Sequence, residues 1–153
     1  MLIKRKAFAY VTHGVRLLVF TQPGAPEAGV QVPAGTVEAR EAPEAAALRE
    51  AAEETGLGEL RLAAFLGRRE FSMAPFGRDE LHERFFFHLE CSAAPPEQWL
   101  QREPDPSGGA DAPIWFAFRW AGLPAGVPPL IAGHDALLPE LLALLGLSGG
   151  PAS

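Results

Sequence analysis

Two short apolar runs, residues 7–11 and 15–20, stand on either side of His13 and Gly14. Runs of this length around a glycine-bearing pair predict a strand, a tight turn and a second strand. Residues 22–29 carry two prolines and two glycines and predict a loop. An apolar stretch at 29–37, broken by Pro33 and Gly35, predicts a strand that ends in a loop. The spacing then turns helical at 43–55. Pro43 suits a first helical turn, Ala45, Ala46, Ala47, Leu48, Ala51 and Ala52 favour helix, and Gly56 stands at the C-cap. Residues 60–66 and 84–90 predict two more strands, with a polar loop or ribbon at 68–83 between them. A short helix near 97–101, an aromatic strand at 114–120 and a leucine-rich helix at 135–145 complete the pattern. Strands before, between and after helices predict an α/β (α+β) sandwich.

Composition narrows the class. The 153 residues fit one domain, 1–153, with 146–153 as a tail, and 48% hydrophobic against 21% charged residues is a globular balance. Cys91, the single cysteine, excludes an internal disulfide. No run reaches the ~18 apolar residues of a membrane span. Lys4, Arg5 and Lys6 resemble the start of a leader, but Tyr10, Thr12, His13, Gly14 and Arg16 interrupt the stretch after them, so a cytoplasmic protein is expected. Thirteen basic and nineteen acidic side chains give −6. With no basic stripe, a nucleic-acid partner is not expected. Lysine occurs only at Lys4 and Lys6, and the arginine and alanine bias suggests a GC-rich bacterial genome.

The candidate chemistry lies in residues 35–57, GTVEAREAPEAAALREAAEETGL, which hold Glu38, Glu41, Glu44, Glu50, Glu53 and Glu54, two arginines and no lysine. At about 100° per residue, Glu50, Glu53 and Glu54 share one helix face, with Ala45, Leu48 and Ala52 on the far side to pack against a sheet. Charged helix faces are ordinarily just solvated. Carboxylates at i, i+3 and i+4 nevertheless repel, and hard divalent cations such as Mg²⁺ or Mn²⁺ would relieve that repulsion and attract an anionic substrate. Arg49 stands where it can pair with Glu41 or Glu53 and orient it.

The spacing adds a second argument. Gly35, five residues, Glu41, seven residues, Arg49-Glu50, two residues, Glu53-Glu54, one residue, Gly56 and an apolar residue reproduce the complete signature of the Nudix hydrolases. Seven fixed positions, each at an average usage of roughly 5–7%, make chance an inadequate explanation. The chain therefore resembles a Nudix hydrolase. The resemblance implies an α/β/α sandwich with a mixed sheet between helices, and Mg²⁺-dependent (or Mn²⁺-dependent) hydrolysis of a phosphoanhydride bond in a nucleoside diphosphate linked to another moiety. It implies metal ligands Glu50, Glu53, Glu54 and the carbonyl of Gly35, and catalytic roles for Glu50, Glu53 and Arg49. Glu38 and Glu41 act through water or by orienting Arg49. The general base is Glu50 within the helix, or Glu103 or Asp111 in a later loop. Arg40 stands where a glycine often precedes the first glutamate, and Ala51 is a small choice for its apolar position.

Outside this segment, Arg84 and Phe76 are the candidate substrate contacts, Arg84 and Arg78 either meeting phosphates or balancing Asp79, Glu80 and Glu83. Trp99, Trp115 and Phe71 are further stacking candidates. One of Phe85, Phe86 and Phe87 must face away from the other two. His13, His82, His88 and His134 lack zinc spacing and read as turn or surface residues. Cys91 reads as inert. The partner expected is a small nucleotide diphosphate, and the substrate stays open among nucleoside triphosphates, nucleotide sugars and dinucleotides. The alternative is a non-catalytic nucleotide sensor. Leucines 137–147 supply a buried face or the seam of a homodimer.

Overall fold

A computed structural model describes residues 1–103 and 113–147. The strands are β1 (Leu2–His13), β2 (Arg16–Thr21), β3 (Ala34–Thr36), β4 (Leu60–Ser72), β5 (Glu80–Cys91), β6 (Gln98–Arg102) and β7 (Trp115–Gly122), and the helices are α1 (Pro43–Thr55) and α2 (Leu138–Leu144). Among the described residues one mixed sheet runs β4-β5-β1-β2-β7-β6, with β3 also on β1. β1 and β5 are parallel, and the other pairs are antiparallel.

Alternation along the strands builds two cores, one on each face of the sheet. Ala7, Ala9 and Val11 of β1 join Leu18, Phe20, Phe87 and Leu89 beneath α1. Phe8 and Tyr10 join Leu17, Val19 and Phe86 beneath Leu137 and Leu141 of the α2 segment. Phe86 faces away from Phe85 and Phe87, as period-2 geometry demands. The two helices thus cover opposite faces, and the expected sandwich is the observed one.

α1 occupies its expected span. Gly56 closes it at φ 74°, with its N–H on the Ala52 carbonyl at 3.0 Å. Several elements differ from expectation. β1 begins at Leu2, because its polar start is held residue for residue by β5. The ribbon at 68–83 is the far half of a long β4–β5 hairpin turning at residues 74–77. Residues 97–101 form no helix. Residues 98–101 belong to the edge strand β6, whose burial alternates and which pairs with β7 from Gln98↔Arg119 to Arg102↔Trp115. The leucine-rich helix is confined to seven residues, Leu138–Leu144, with Leu137 and Leu141 buried and Leu144 exposed. Among the described residues no helix is long and apolar enough to cross a membrane. Asp111 and the tail beyond residue 147 lie outside the described residues.

One feature of the sheet positions the site. β1 and β2 pair only at their hairpin end, Thr12↔Leu17 and His13↔Arg16, and then diverge. Segment 31–36 fills the wedge: Ala34–Thr36 pair with Lys6–Phe8 of β1, and Gln31 bridges to Phe20 of β2.

Candidate active site

α1 lies on the sheet through its smallest side chains. Ala46, Ala47, Ala51 and Thr55 are buried, while Ala45 and Ala52 are exposed. The expected packing face of Ala45, Leu48 and Ala52 is therefore off by roughly a third of a turn, although Leu48 does pack at the margin of the core. Alanines let the helix approach closely and bring the Ala46, Glu50, Glu54 row down toward the sheet. Glu50 and Glu54 are recessed, and Glu53 is exposed.

The segment before the helix completes the wall. A side chain at Gly35 would overlap the Glu50 carboxyl, so the absent Cβ is what lets Glu50 rest there. Arg40 adopts φ 67° in the turn where Glu41 N–H donates to the Glu38 carbonyl at 3.0 Å. A glycine would take this left-handed backbone without strain, which explains the preference that Arg40 departs from.

Arg49 is the organiser. Its Nε and one terminal nitrogen donate to the two Glu41 oxygens at 2.8 Å each, the same terminal nitrogen reaches the Thr36 carbonyl at 3.1 Å, and the other donates to Glu50 Oε1 at 2.9 Å. Glu53 is 3.6 Å from it and Glu38 3.9 Å. Both partners expected for Arg49 are present, with Glu41 the close one. The guanidinium pulls the Glu41 carboxyl down to about 2.

The recessed acids are poised differently. Burial pushes Glu50 above the usual carboxylate range, against the Arg49 hydrogen bond. Burial pushes Glu54 well above it, reinforced by the charge of Glu50 and, more weakly, of Glu103 and Glu53. Glu53 and Glu54 also lie in the last turn of α1, where the helix dipole disfavours anions by roughly 0.3–1 kcal/mol each. A segment that accumulates burial, like charge and an adverse dipole is one that a cation would relieve. The donors are hard oxygens, and they suit a divalent ion. Among the described residues, no three acidic, histidine or cysteine side chains stand close enough together to hold a metal ion between them.

These groups line one open cleft of about 810 Å³, which gathers Gly35, Glu38, Arg49, Glu50, Glu53, Glu54 and Glu103. It joins a cavity of about 420 Å³ lined by Arg84 and Phe76. Lys6, Glu54 and Glu103 stand in both walls.

The remaining candidates are sorted by the fold. Trp99 stacks on Phe118 at 5.2 Å and donates to the Thr55 carbonyl at 2.9 Å, away from the cleft. Trp115 is exposed and lines neither hollow. Phe71 backs Arg84 rather than lining the cavity. Arg84 does not balance its acidic neighbours: it is buried, and Glu83 pairs with Arg68 and Arg5 instead. Cys91 is buried and its thiol pushed up, hence inert. Three histidines expected at turns or the surface, His82, His88 and His134, are buried. Sequence reasoning also missed Lys6, Phe8 and His134 as cavity residues. Only the alternation that puts Lys6 and Phe8 on one face of β1 could have signalled them.

Known proteins agree with this architecture. The sequence matches the NUDIX domain family over residues 3–141. No curated protein sequence matches the chain. Among solved structures, one described as a UDP-X diphosphatase superimposes with a TM-score of 0.65 at 14% identity, covering 98% of this chain, which spans 66% of that one. A MutT NUDIX hydrolase from Burkholderia pseudomallei gives 0.62 at 23% identity, with 92% and 99% of the two chains covered. A point mutant of the Bacillus subtilis pyrophosphohydrolase BsRppH gives 0.59 at 21%, with 95% and 83% covered. At these identities the structures speak for the fold, and the domain match speaks for descent. Spanning nearly the whole chain, that match places the protein in the NUDIX family.

Proposed function

We propose that residues 1–153 act as a single cytoplasmic domain that hydrolyses a phosphoanhydride bond in a nucleoside diphosphate linked to another moiety, with Mg²⁺ as cofactor and Mn²⁺ able to replace it. The observation that carries this reading is the pair of recessed carboxylates, Glu50 and Glu54, set in an open cleft beside a cavity large enough for the rest of a nucleotide. Glu50, Glu53, Glu54 and the Gly35 carbonyl would hold the cation. When bound, it polarises phosphoryl oxygens and lowers the pKa of the attacking water.

The chain's own residues supply position and proton transfer. Arg49 fixes Glu50 through one oxygen. The raised pKa of Glu50 brings it nearer the working range of a general base. Glu103, at the junction of the two hollows, is the rival base. Lys6, also at the junction, offers a positive charge to the diphosphate. Arg84 and Phe76 contact the group beyond it.

A sensor that binds without cleaving would use the same pocket, but every carboxylate of the segment is present. A nucleotide panel with Mg²⁺ or Mn²⁺, read by phosphate release after a coupled phosphatase, tests the reading. Metal-dependent turnover is expected, with at least a roughly hundredfold lower kcat in Glu53→Gln. Stabilisation by metal and nucleotide with no turnover would convert the enzyme into a sensor.

A further inference from the structure

The cleft and the cavity divide the charged side chains between them. Glu38, Arg49, Glu50 and Glu53 line the cleft alone, and Lys6, Glu54 and Glu103 stand where the two meet. Among the described residues, the charged ones that line only the cavity are Arg78 and Arg84, both cations. Arg84 is 3% exposed. Its guanidinium carbon lies 4.0 Å from the Phe71 ring centre and 4.8 Å from that of Phe8. One terminal nitrogen donates to the Ala132 carbonyl and the other to His82 Nδ1 at 3.3 Å. Its Nε is buried with no hydrogen-bond partner among the described residues.

None of these neighbours is an anion. His82 accepts from Arg84 and turns its other nitrogen to Glu80 at 3.2 Å, while Glu80 also faces Lys4 at 3.6 Å and the half-exposed Arg78 at 3.9 Å, so that Arg84 is the cavity cation whose contacts include no acid among the described residues. Glu83 is held by Arg68 at 2.7 Å. His134, across the cavity, accepts the Val32 N–H at Nδ1 and so carries its hydrogen on Nε2, a second donor in this wall. Burial pulls Arg84 down to about 10, with no acid among the described residues to offset it. A buried cation lacking a counter-charge is costly, and the cost is recovered when a ligand brings the anion.

Resting on the hydrolase reading above, we propose that the part of the substrate seated in this cavity carries an anionic group of its own, a phosphate monoester separate from the diphosphate that is cut, and that Arg84 and Arg78 receive it. The substrate class is then a nucleotide diphosphate derivative bearing an additional phosphate.

Inorganic phosphate is the probe, added to the full chain in EDTA so that the carboxylate cleft repels anions. Phosphate should give a saturable rise in Tm of a few degrees that chloride at equal ionic strength does not give. Arg84→Gln should lose at least half of that rise. Arg78, half-exposed, provides a second variant, Arg78→Gln, that leaves the core intact and should lose a comparable share. A rise no larger than with chloride overturns the proposal, as does a rise that both variants retain. Within the nucleotide panel, coenzyme A and NADPH are set against dephospho-coenzyme A and NADH, which lack one phosphate monoester. A preferred substrate without such a phosphate also overturns it. Failure of the hydrolase reading is read separately, as absence of turnover on every nucleotide with every metal.

Discussion

The carboxylate cleft and the Arg84 cavity share a wall and handle charge in opposite ways. In the cleft, one cation serves several anions: Arg49 binds Glu41 through two oxygens, Glu50 through one, and reaches toward Glu53 and Glu38. The surplus there is negative, and it is least tolerated at Glu54, whose ionised form burial and the neighbouring carboxylates disfavour. In the cavity the surplus is positive, and the histidines beside it are held neutral. Each hollow is thus incomplete by one sign of charge. A cation completes the first, and a negatively charged substrate group completes the second.

The largest expected break comes from removing the surplus in the cleft. Glu54→Gln keeps the shape and takes away the charge. We expect at least a roughly hundredfold loss of metal-dependent kcat, together with a protein whose Tm no longer responds to Mg²⁺. Gly35→Ala comes next. The new Cβ would occupy the space of the Glu50 carboxyl, which must swing away, although the backbone at Gly35 suits any residue. Misplacing a reacting group by about 1 Å costs on the order of a hundredfold. Turnover should fall by that order while urea unfolding changes little. Arg49→Lys is smaller. A single ammonium cannot span both Glu41 oxygens, Glu50 and the Thr36 carbonyl together. A roughly ten- to hundredfold loss is expected, mostly in kcat or in the Mg²⁺ concentration giving half-maximal rate, as for other groups that orient metal ligands.

The contrast between the two hollows also explains what was legible in the chain. The cleft is local. Gly35, Glu41, Arg49, Glu50, Glu53 and Glu54 lie close together along the chain, and the strongest helix signal of the sequence holds most of them, so spacing alone brings them together. The packing side of that helix is the exception, because leucine is expected to mark it and alanines do. The cavity is assembled from distant pieces: Lys6 and Phe8 from β1, Arg84 from β5, and His134 from the segment before α2. Nothing in their spacing links them. Their surroundings arise from the parallel β1–β5 register, which sets Lys6 beside Arg84, and from the splay of β1 and β2. The helix expected near Gln98 fails for a related reason, since an edge strand is chosen by its partner more than by its own residues.

The smallest effect concerns the cavity's neutral wall. His134 is buried, and its side chain is pulled from 6.5 to about 3, chiefly by burial and further by the charge of Arg84. The folded protein therefore keeps it uncharged, whereas the unfolded chain takes up a proton below about 6.5. Stability that His134 contributes is complete above about pH 6.5 and is lost as the pH falls toward about 3. Between about pH 6.5 and 5 the loss is on the order of 2 kcal/mol. Glu54 works with the opposite sign, because its raised carboxyl strains the fold less as it is protonated, so the wild-type profile is a sum. The variant His134→Gln isolates one part of it. Glutamine can still accept the Val32 N–H and cannot titrate, so its urea midpoint should fall less steeply between about pH 6.5 and 5 than that of the wild type. Parallel profiles would mean that His134 is protonated inside the fold, and the cavity wall would then carry yet more positive charge than its geometry implies.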